Sequence, residues 1–294
     1  MNTLSIVCAV AFVILGPLFG GLADGLDRKI TAHMQSRVGP SILQPFYDVS
    51  KLFSKERAAV NNTINWYVGM ALLFMIVSGV LFFSGNNLLM VFFTMALSEL
   101  FIVIAAYSAR SPYSDAGAMR EIMLIAAYEP LIILLPIGVY MVTGSFDASV
   151  SVTLDTPLIV GLPFIFVAFV LVYIMKMRKS PFDVSVSHHA HQELVKGLTT
   201  EMSGRTFALY EIMHWYESTI LMFMIGMFFA SASPLSIVAA IIAMAVVYFI
   251  GLFVDNASAR MNWQTILGAT WLIILILFVL NIGYIYTAYV WLLV

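Results

Sequence analysis

The side chains able to do chemistry in this chain are carboxylates and histidines set inside apolar runs. Glu211, His214 and Glu217 follow at three-residue steps, which places them on a helical arc of about 120°. Glu121 and Glu129 fall roughly 80° apart on one side of a helix, and Glu99 stands in the middle of another apolar run. A charge at the centre of a bilayer costs about 2.5–3.5 kcal/mol on insertion scales, so such residues are functional or are satisfied by partners. Carboxylates interrupted by an imidazole can pass protons. The same residues can also be a polar network that only holds helices together. Arg120, beside Glu121, could be its counter-ion, and Glu121 could also simply stand at the membrane edge. Pro130 and Pro136 free backbone carbonyls in the run that carries Glu129, which permits a kink or a wet pocket there.

Two polar stretches carry the other candidates. Asp183, His188, His189, His191, Glu193, Glu201 and Arg205 form a titratable patch. Three histidines within four positions could hold a metal. No cysteine accompanies them, however, and the stretch is expected to serve proton uptake or docking rather than a dedicated metal site. In the earlier stretch, Arg28, Arg37, Asp48 and Lys51 surround a segment in which Phe46, Val49 and Phe53 recur at helical spacing. That pattern predicts an amphipathic helix that lies on its own bundle, docks a soluble partner, or does both.

Positioning these groups requires a membrane fold. Of 294 residues, 62% are hydrophobic and only 10% charged, with a mean hydropathy of +0.97; soluble domains carry roughly a quarter charged residues. The whole chain, 1–294, is read as a single all-α polytopic membrane domain. Eight transmembrane helices are expected, at about 3–23, 65–84, 87–108, 119–143, 157–177, 206–230, 235–254 and 264–292. The first run lacks a basic leader and is too long for a signal core, so it is read as a retained span.

Threading these spans alternately puts the connections 24–64, 109–118, 178–205 and 255–263 on one face. With the adjoining helix ends, they hold all 14 Lys and Arg. The opposite face offers only Asp147 and Asp155 as charges. By the positive-inside rule the long loops 24–64 and 178–205 are cytoplasmic and both termini lie outside.

Composition also excludes functions. With 14 Lys+Arg against 16 Asp+Glu there is no basic excess for nucleic acid. The single cysteine, Cys8, cannot hold an iron-sulfur cluster or form a disulfide within the chain, and of five histidines only His214 lies in an apolar run, so no haem pair is expected. The chain should contain no redox cofactor and no catalytic residue of its own.

The runs Asp27-Arg28-Lys29 to Arg37-Val38-Gly39-Pro40 and Leu43-Gln44-Pro45 to Lys55-Glu56 resemble the first cytoplasmic loop of the H-type membrane subunit of respiratory complex I. Tyr113-Ser114 to Arg120, Ala127-Tyr128-Glu129, Pro181-Phe182-Asp183, Gln192 to Gly197, Glu201 to Gly204 and Phe207-Ala208-Leu209 extend that resemblance along nearly the whole chain. His189-Ala190-His191 stands where that family carries Glu-Ala-Glu in its quinone cavity, and His214 stands at its helix-6 glutamate. These departures, with the shorter chain, are similar to the counterpart subunit of energy-converting nickel-iron hydrogenases of the Ech type and, more distantly, formate hydrogenlyase.

The resemblance implies a subunit in the cytoplasmic membrane of a prokaryote. Its expected partners are a nickel-iron large subunit, an iron-sulfur small subunit, an antiporter-like membrane subunit, ferredoxin through the complex, and the lipid bilayer. The nickel-iron centre and iron-sulfur clusters would sit in the partners. The complex would couple ferredoxin oxidation and proton reduction, or the reverse, to translocation of H⁺ or Na⁺. Glu99, Glu121, Glu129, Glu211, His214 and Glu217 would form the relay, while Arg28, Arg37, Asp48 and Lys51 would seat the soluble arm. The alternatives are the quinone-site subunit of complex I, a stand-alone cation transporter with midplane carboxylates, and a purely structural anchor.

Overall fold

The computed structural model describes residues 3–55, 63–186 and 196–293. The expectations for His188, His189, His191 and Glu193 lie outside the described residues. In chain order the helices are α1 (Thr3–Met34), α2 (Gln44–Ser54), α3 (Thr63–Phe83), α4 (Leu88–Ser108), α5 (Pro112–Thr143), the single turns α6 (Val150–Thr153) and α7 (Leu158–Gly161), α8 (Pro163–Lys176), α9 (Gly204–Met227), α10 (Leu235–Ala257) and α11 (Trp263–Leu293), with a 3₁₀ turn at Gly197–Thr199 before α9. The described residues contain no strands, and the chain is an all-α polytopic membrane protein.

Six helices, α1, α3, α4, α5, α10 and α11, are long and apolar enough to cross a membrane. The other two expected spans depart from that pattern. Helix α9 has 24 residues, about 36 Å at 1.5 Å per residue, but carries Arg205, Glu211 and Glu217. The fifth expected span is broken. Pro163, which cannot donate to a preceding turn, starts α8 afresh after Leu162. Asn281 of α11, 1% exposed, closes the break: its Oδ1 accepts from the backbone N–H of Phe164 at 3.2 Å and of Ile165 at 3.4 Å, and its Nδ2 donates to the Gly161 carbonyl at 3.4 Å. A break at membrane depth is tolerated only when its backbone is satisfied in this way.

Three expected loop boundaries move. Helix α1 runs 32 residues without interruption, so Asp24 to Met34 belong to it and not to a loop. Charge alone does not end a helix, and Arg28 pairs with Asp24 one turn away at 2.9 Å. Helix α5 likewise begins at Pro112, shortening the second connection, and α10 extends through Ala257.

Helix α2 is the amphipathic helix read from the sequence. It lies on its own bundle: Pro45 and Val49 are buried, and the Phe46 ring sits 5.1 Å from that of Trp215 in α9. Arg28 also reaches Asp48 at 2.8 Å, tying α2 to α1. Helix α9 occupies the middle of the bundle, packing on α1, α2, α3 and α10. Its approach to α1 depends on Gly20, where an added Cβ would stand 2.2 Å from the Trp215 carbonyl oxygen.

Gly20→Ala is therefore expected to cost about 1–3 kcal/mol by overpacking. Gly69→Ala, on α3 with nothing within 4 Å of the new methyl group, should leave stability unchanged or slightly raised. Thermal unfolding of the two purified variants side by side checks this, and equal melting temperatures would contradict the close α1–α9 contact.

Candidate functional site: a buried charged row beside a polar cavity

Four helices send ionisable side chains to one place inside the bundle. Glu99 comes from the middle of α4, Glu121 and Tyr128 from α5, Lys176 from the last residue of α8 with Arg178 just beyond it, and Glu217 from α9. The five charged residues among them are 1–5% exposed. Glu99 accepts a hydrogen bond from Lys176 Nζ on one oxygen and from the Tyr128 hydroxyl on the other. Lys176 Nζ also lies 3.6 Å from Glu217 Oε1. Arg178 donates twice to Glu121 Oε1, from Nη2 at 2.7 Å and from Nε at 3.1 Å, and its Nη1 stands 3.9 Å from Glu217 Oε2. The order along the row is Glu99, Lys176, Glu217, Arg178, Glu121, with signs alternating at each step. Burial works against the Arg178 charge, but Glu121, Tyr210 and Glu217 around it hold its pKa well above the ordinary arginine value. The guanidinium is therefore a fixed charge at any physiological pH.

The cations of this row were the residues that sequence reasoning missed. Lys176 and Arg178 read as the basic flank of a span, the usual place for a lysine or arginine near a membrane. The expected pairing of Arg120 with Glu121 is corrected: successive helix residues point about 100° apart, and Arg120 is instead directed to the Val184 carbonyl at 3.5 Å. The same rotation separates Tyr128, which enters the row, from Glu129. Glu129 is only partly buried and shares an α5 face with the exposed Ile122 and Ile133; Lys176 acts on it electrostatically without a direct contact.

The arc Glu211, His214, Glu217 connects two environments. Glu211 and His214 line a cavity of about 460 Å³ whose wall also includes Asp24, Asp27, Arg28, Lys179, Asp183, Tyr210 and Trp215. His214 Nδ1 is 3.3 Å from Glu217 Oε2, so the imidazole touches the cavity on one side and the row on the other. The stretch after α8 that roofs the cavity is held to α1 and α10: Lys179 pairs with Asp27 at 2.5 Å, the Ser180 N–H donates to Asp255 at 2.8 Å, and buried Asp183 has Arg260 at 4.0 Å. Glu201, Arg205, Arg37 and Lys51 are exposed and stand apart from the row. Among the described residues, no three His, Cys, Asp or Glu side chains group as metal ligands would.

The arrangement can hold charge at membrane depth and exchange protons with the cavity through His214. Removing one partner of a buried pair leaves the other uncompensated, at a cost of about 3–5 kcal/mol. Arg178→Met should lower the melting temperature of the purified protein sharply, and Arg178→Met with Glu121→Gln should recover most of the loss. A double variant no more stable than the single one would contradict the pairing.

A family model described as NADH dehydrogenase matches residues 5–286. Hydrogenase-4 component C of Escherichia coli (strain K12) is 28% identical, with 90% of each chain covered. The H-type subunit of the NADH-quinone oxidoreductase of Carboxydothermus hydrogenoformans is 27% identical over 98% of this chain and 78% of its own length. Among solved structures, a chain of the membrane-bound sulfane sulfur reductase, an archaeal respiratory membrane complex, superposes with a TM-score of 0.81 over 94% of this chain and 99% of its own, at 23% identity; at that identity the likeness concerns the fold. With the membrane helices and the buried row, these similarities establish that the chain belongs to the NADH dehydrogenase family of H-type membrane subunits and is a membrane subunit of a complex I-like oxidoreductase complex.

Proposed function

We propose that the chain is the membrane-anchoring and ion-coupling subunit of a multi-subunit energy-converting nickel-iron hydrogenase, relaying protons or conformational change from the hydrogenase arm to an antiporter-like subunit. The observation that carries this reading is the charge-alternating row joined to a cavity by His214, in a chain similar over 90% of its length to a hydrogenase-4 component. The nickel-iron centre and iron-sulfur clusters belong in this reading to the large and small partner subunits, with electrons arriving from ferredoxin. The soluble arm covers the cavity from the cytoplasm, over α2 and the stretch after α8. Glu211 and His214 exchange protons with the cavity, Glu217 and Glu99 pass them inward, and Glu129, on the outward face of α5 near the row, delivers them to the neighbouring membrane subunit. The coupled ion is H⁺ or Na⁺, since carboxylates serve either.

A second reading, the quinone-site subunit of a complex I type dehydrogenase, is favoured by one observation. The cavity wall includes Tyr173, Phe207, Tyr210, Trp215, Met177 and Met222, apolar and aromatic surface that suits a planar ring.

Mild extraction and affinity capture of this chain from its native membranes decides between them. The hydrogenase reading predicts nickel in the eluate together with ferredoxin-dependent hydrogen production. Flavin and quinone reductase activity without nickel would move the chain to the second reading, and elution of the chain alone would refute both.

A further inference from the structure

One face of helix α1 stays outside the bundle. The other faces are taken. Gly20 meets α9, and Gly21 and Gly25 meet α2 and the turn before it, where added Cβ atoms would stand 2.6 Å from the Phe46 ring and 1.9 Å from the Ile42 carbonyl oxygen. On the α10 side, the Tyr248 hydroxyl donates to the Ala23 carbonyl at 2.6 Å. Away from these contacts, Leu15, Leu18, Leu22 and Leu26 follow at helical spacing and are all exposed. Lys29 and His33 continue the same stripe and are exposed as well. The stripe passes from leucine to a polar end within one turn, as a helix face does where it leaves hydrocarbon for the headgroup layer.

The charges around that end are sorted in a way composition does not reveal. Between residues 24 and 55 the chain carries five cations, Arg28, Lys29, Arg37, Lys51 and Lys55, and three acids, Asp24, Asp27 and Asp48. All three acids are used in ion pairs. Asp24 and Asp48 clamp Arg28 at 2.9 and 2.8 Å, and Asp27 holds Lys179 at 2.5 Å. Lys29, Arg37, Lys51 and Lys55 are exposed, and none of them makes an ion pair among the described residues. A stretch of mixed charge thereby becomes a surface of single sign.

Lys29 and Arg37 form the part of that surface nearest the leucines. After α1 the chain doubles back: the Arg37 backbone N–H donates to the Ala32 carbonyl at 2.7 Å, and a Cβ added at Gly39 would lie 3.0 Å from the Lys29 Cα. The Arg37 guanidinium donates to Gln35, whose amide donates to Asn256 of α10 at 3.0 Å. An ammonium on the helix and a guanidinium on the returning turn are thus held above a strip of exposed leucines. Phosphate oxygens suit both cations, and acyl chains suit the leucines.

We propose that Lys29 and Arg37 bind the headgroup of an anionic phospholipid whose acyl chains lie along Leu18, Leu22 and Leu26. An acidic soluble protein would satisfy the same cations but not the leucine stripe that descends from them. The site needs only the membrane placement of α1, whatever complex the chain serves.

The test is photocrosslinking in the assembled complex, reconstituted in phosphatidylcholine with a minor share of phosphatidylglycerol, from a benzophenone side chain introduced at Leu26. Mass spectrometry of the adduct reads which lipid lies there. Phosphatidylglycerol should be captured at least about fivefold above its share of the bilayer, the preference that one cation confers at an anionic surface. Lys29→Gln with Arg37→Gln should return the capture to the bulk ratio, while Arg110→Gln, at an exposed arginine beyond the end of α4, should leave it unchanged. Capture at the bulk ratio before either cation is altered overturns the site. An adduct with a protein chain overturns it too, by making this face an interface between subunits. Loss of soluble subunits from Lys29→Gln with Arg37→Gln, with lipid capture unchanged, would overturn it by assigning the cations to an acidic protein. Leu22, one turn deeper on the stripe, is the crosslinking position if the Leu26 variant does not assemble.

Discussion

Burying ionised groups inside a membrane bundle is tolerable only when each is matched, and the architecture of this chain follows from that requirement. Lys176 and Arg178 stand between carboxylates contributed by α4, α5 and α9, so three long helices are fixed relative to one another through the end of a fourth. A single unmatched partner would cost a sizeable fraction of the stability of an ordinary domain. Helix α8 is correspondingly short. It restarts at Pro163, is secured at its origin by Asn281, and ends with its lysine inside the bundle instead of at the surface.

The row is also the inner wall of a connected device. His214 couples it to the cavity, and the cavity is roofed by a stretch pinned through Lys179–Asp27 and Ser180–Asp255 to α1 and α10. A partner that moved this roof would move Lys179 and Arg178, only two residues after Lys176, and thereby alter the row directly. The geometry thus offers a short mechanical path from the cavity roof to the buried carboxylates. A conformational route and a proton route would use the same residues.

Much of this was legible in the sequence. Carboxylates inside apolar runs stand out because hydrocarbon tolerates them so poorly, and the three-residue steps from Glu211 to Glu217 placed His214 between two acids before any fold was known. The amphipathic spacing of α2 was equally plain. The cations were hidden because a lysine at the end of an apolar run is ordinary, and its burial is decided by which helices close over it. Arg120 looked like the partner of Glu121 because sequence neighbours seem close, although helical rotation turns them apart. Asp24 and Arg28 read as loop because their charges masked a continuing helix. Asn281 drew no attention because its role exists only once Gly161-Leu162-Pro163 breaks the neighbouring helix.

The central claim is that Glu217, in contact with both Lys176 and the cavity-lining His214, lies on the path of the coupled ion. The most direct measurement is ion uptake by proteoliposomes containing the assembled complex, comparing Glu217→Gln with Asp155→Asn, whose side chain is exposed between α6 and α7 and apart from the row. The account predicts that Glu217→Gln abolishes uptake while electron transfer continues, and that Asp155→Asn transports normally. Full uptake in Glu217→Gln would contradict it and leave the buried row as structural pairing alone.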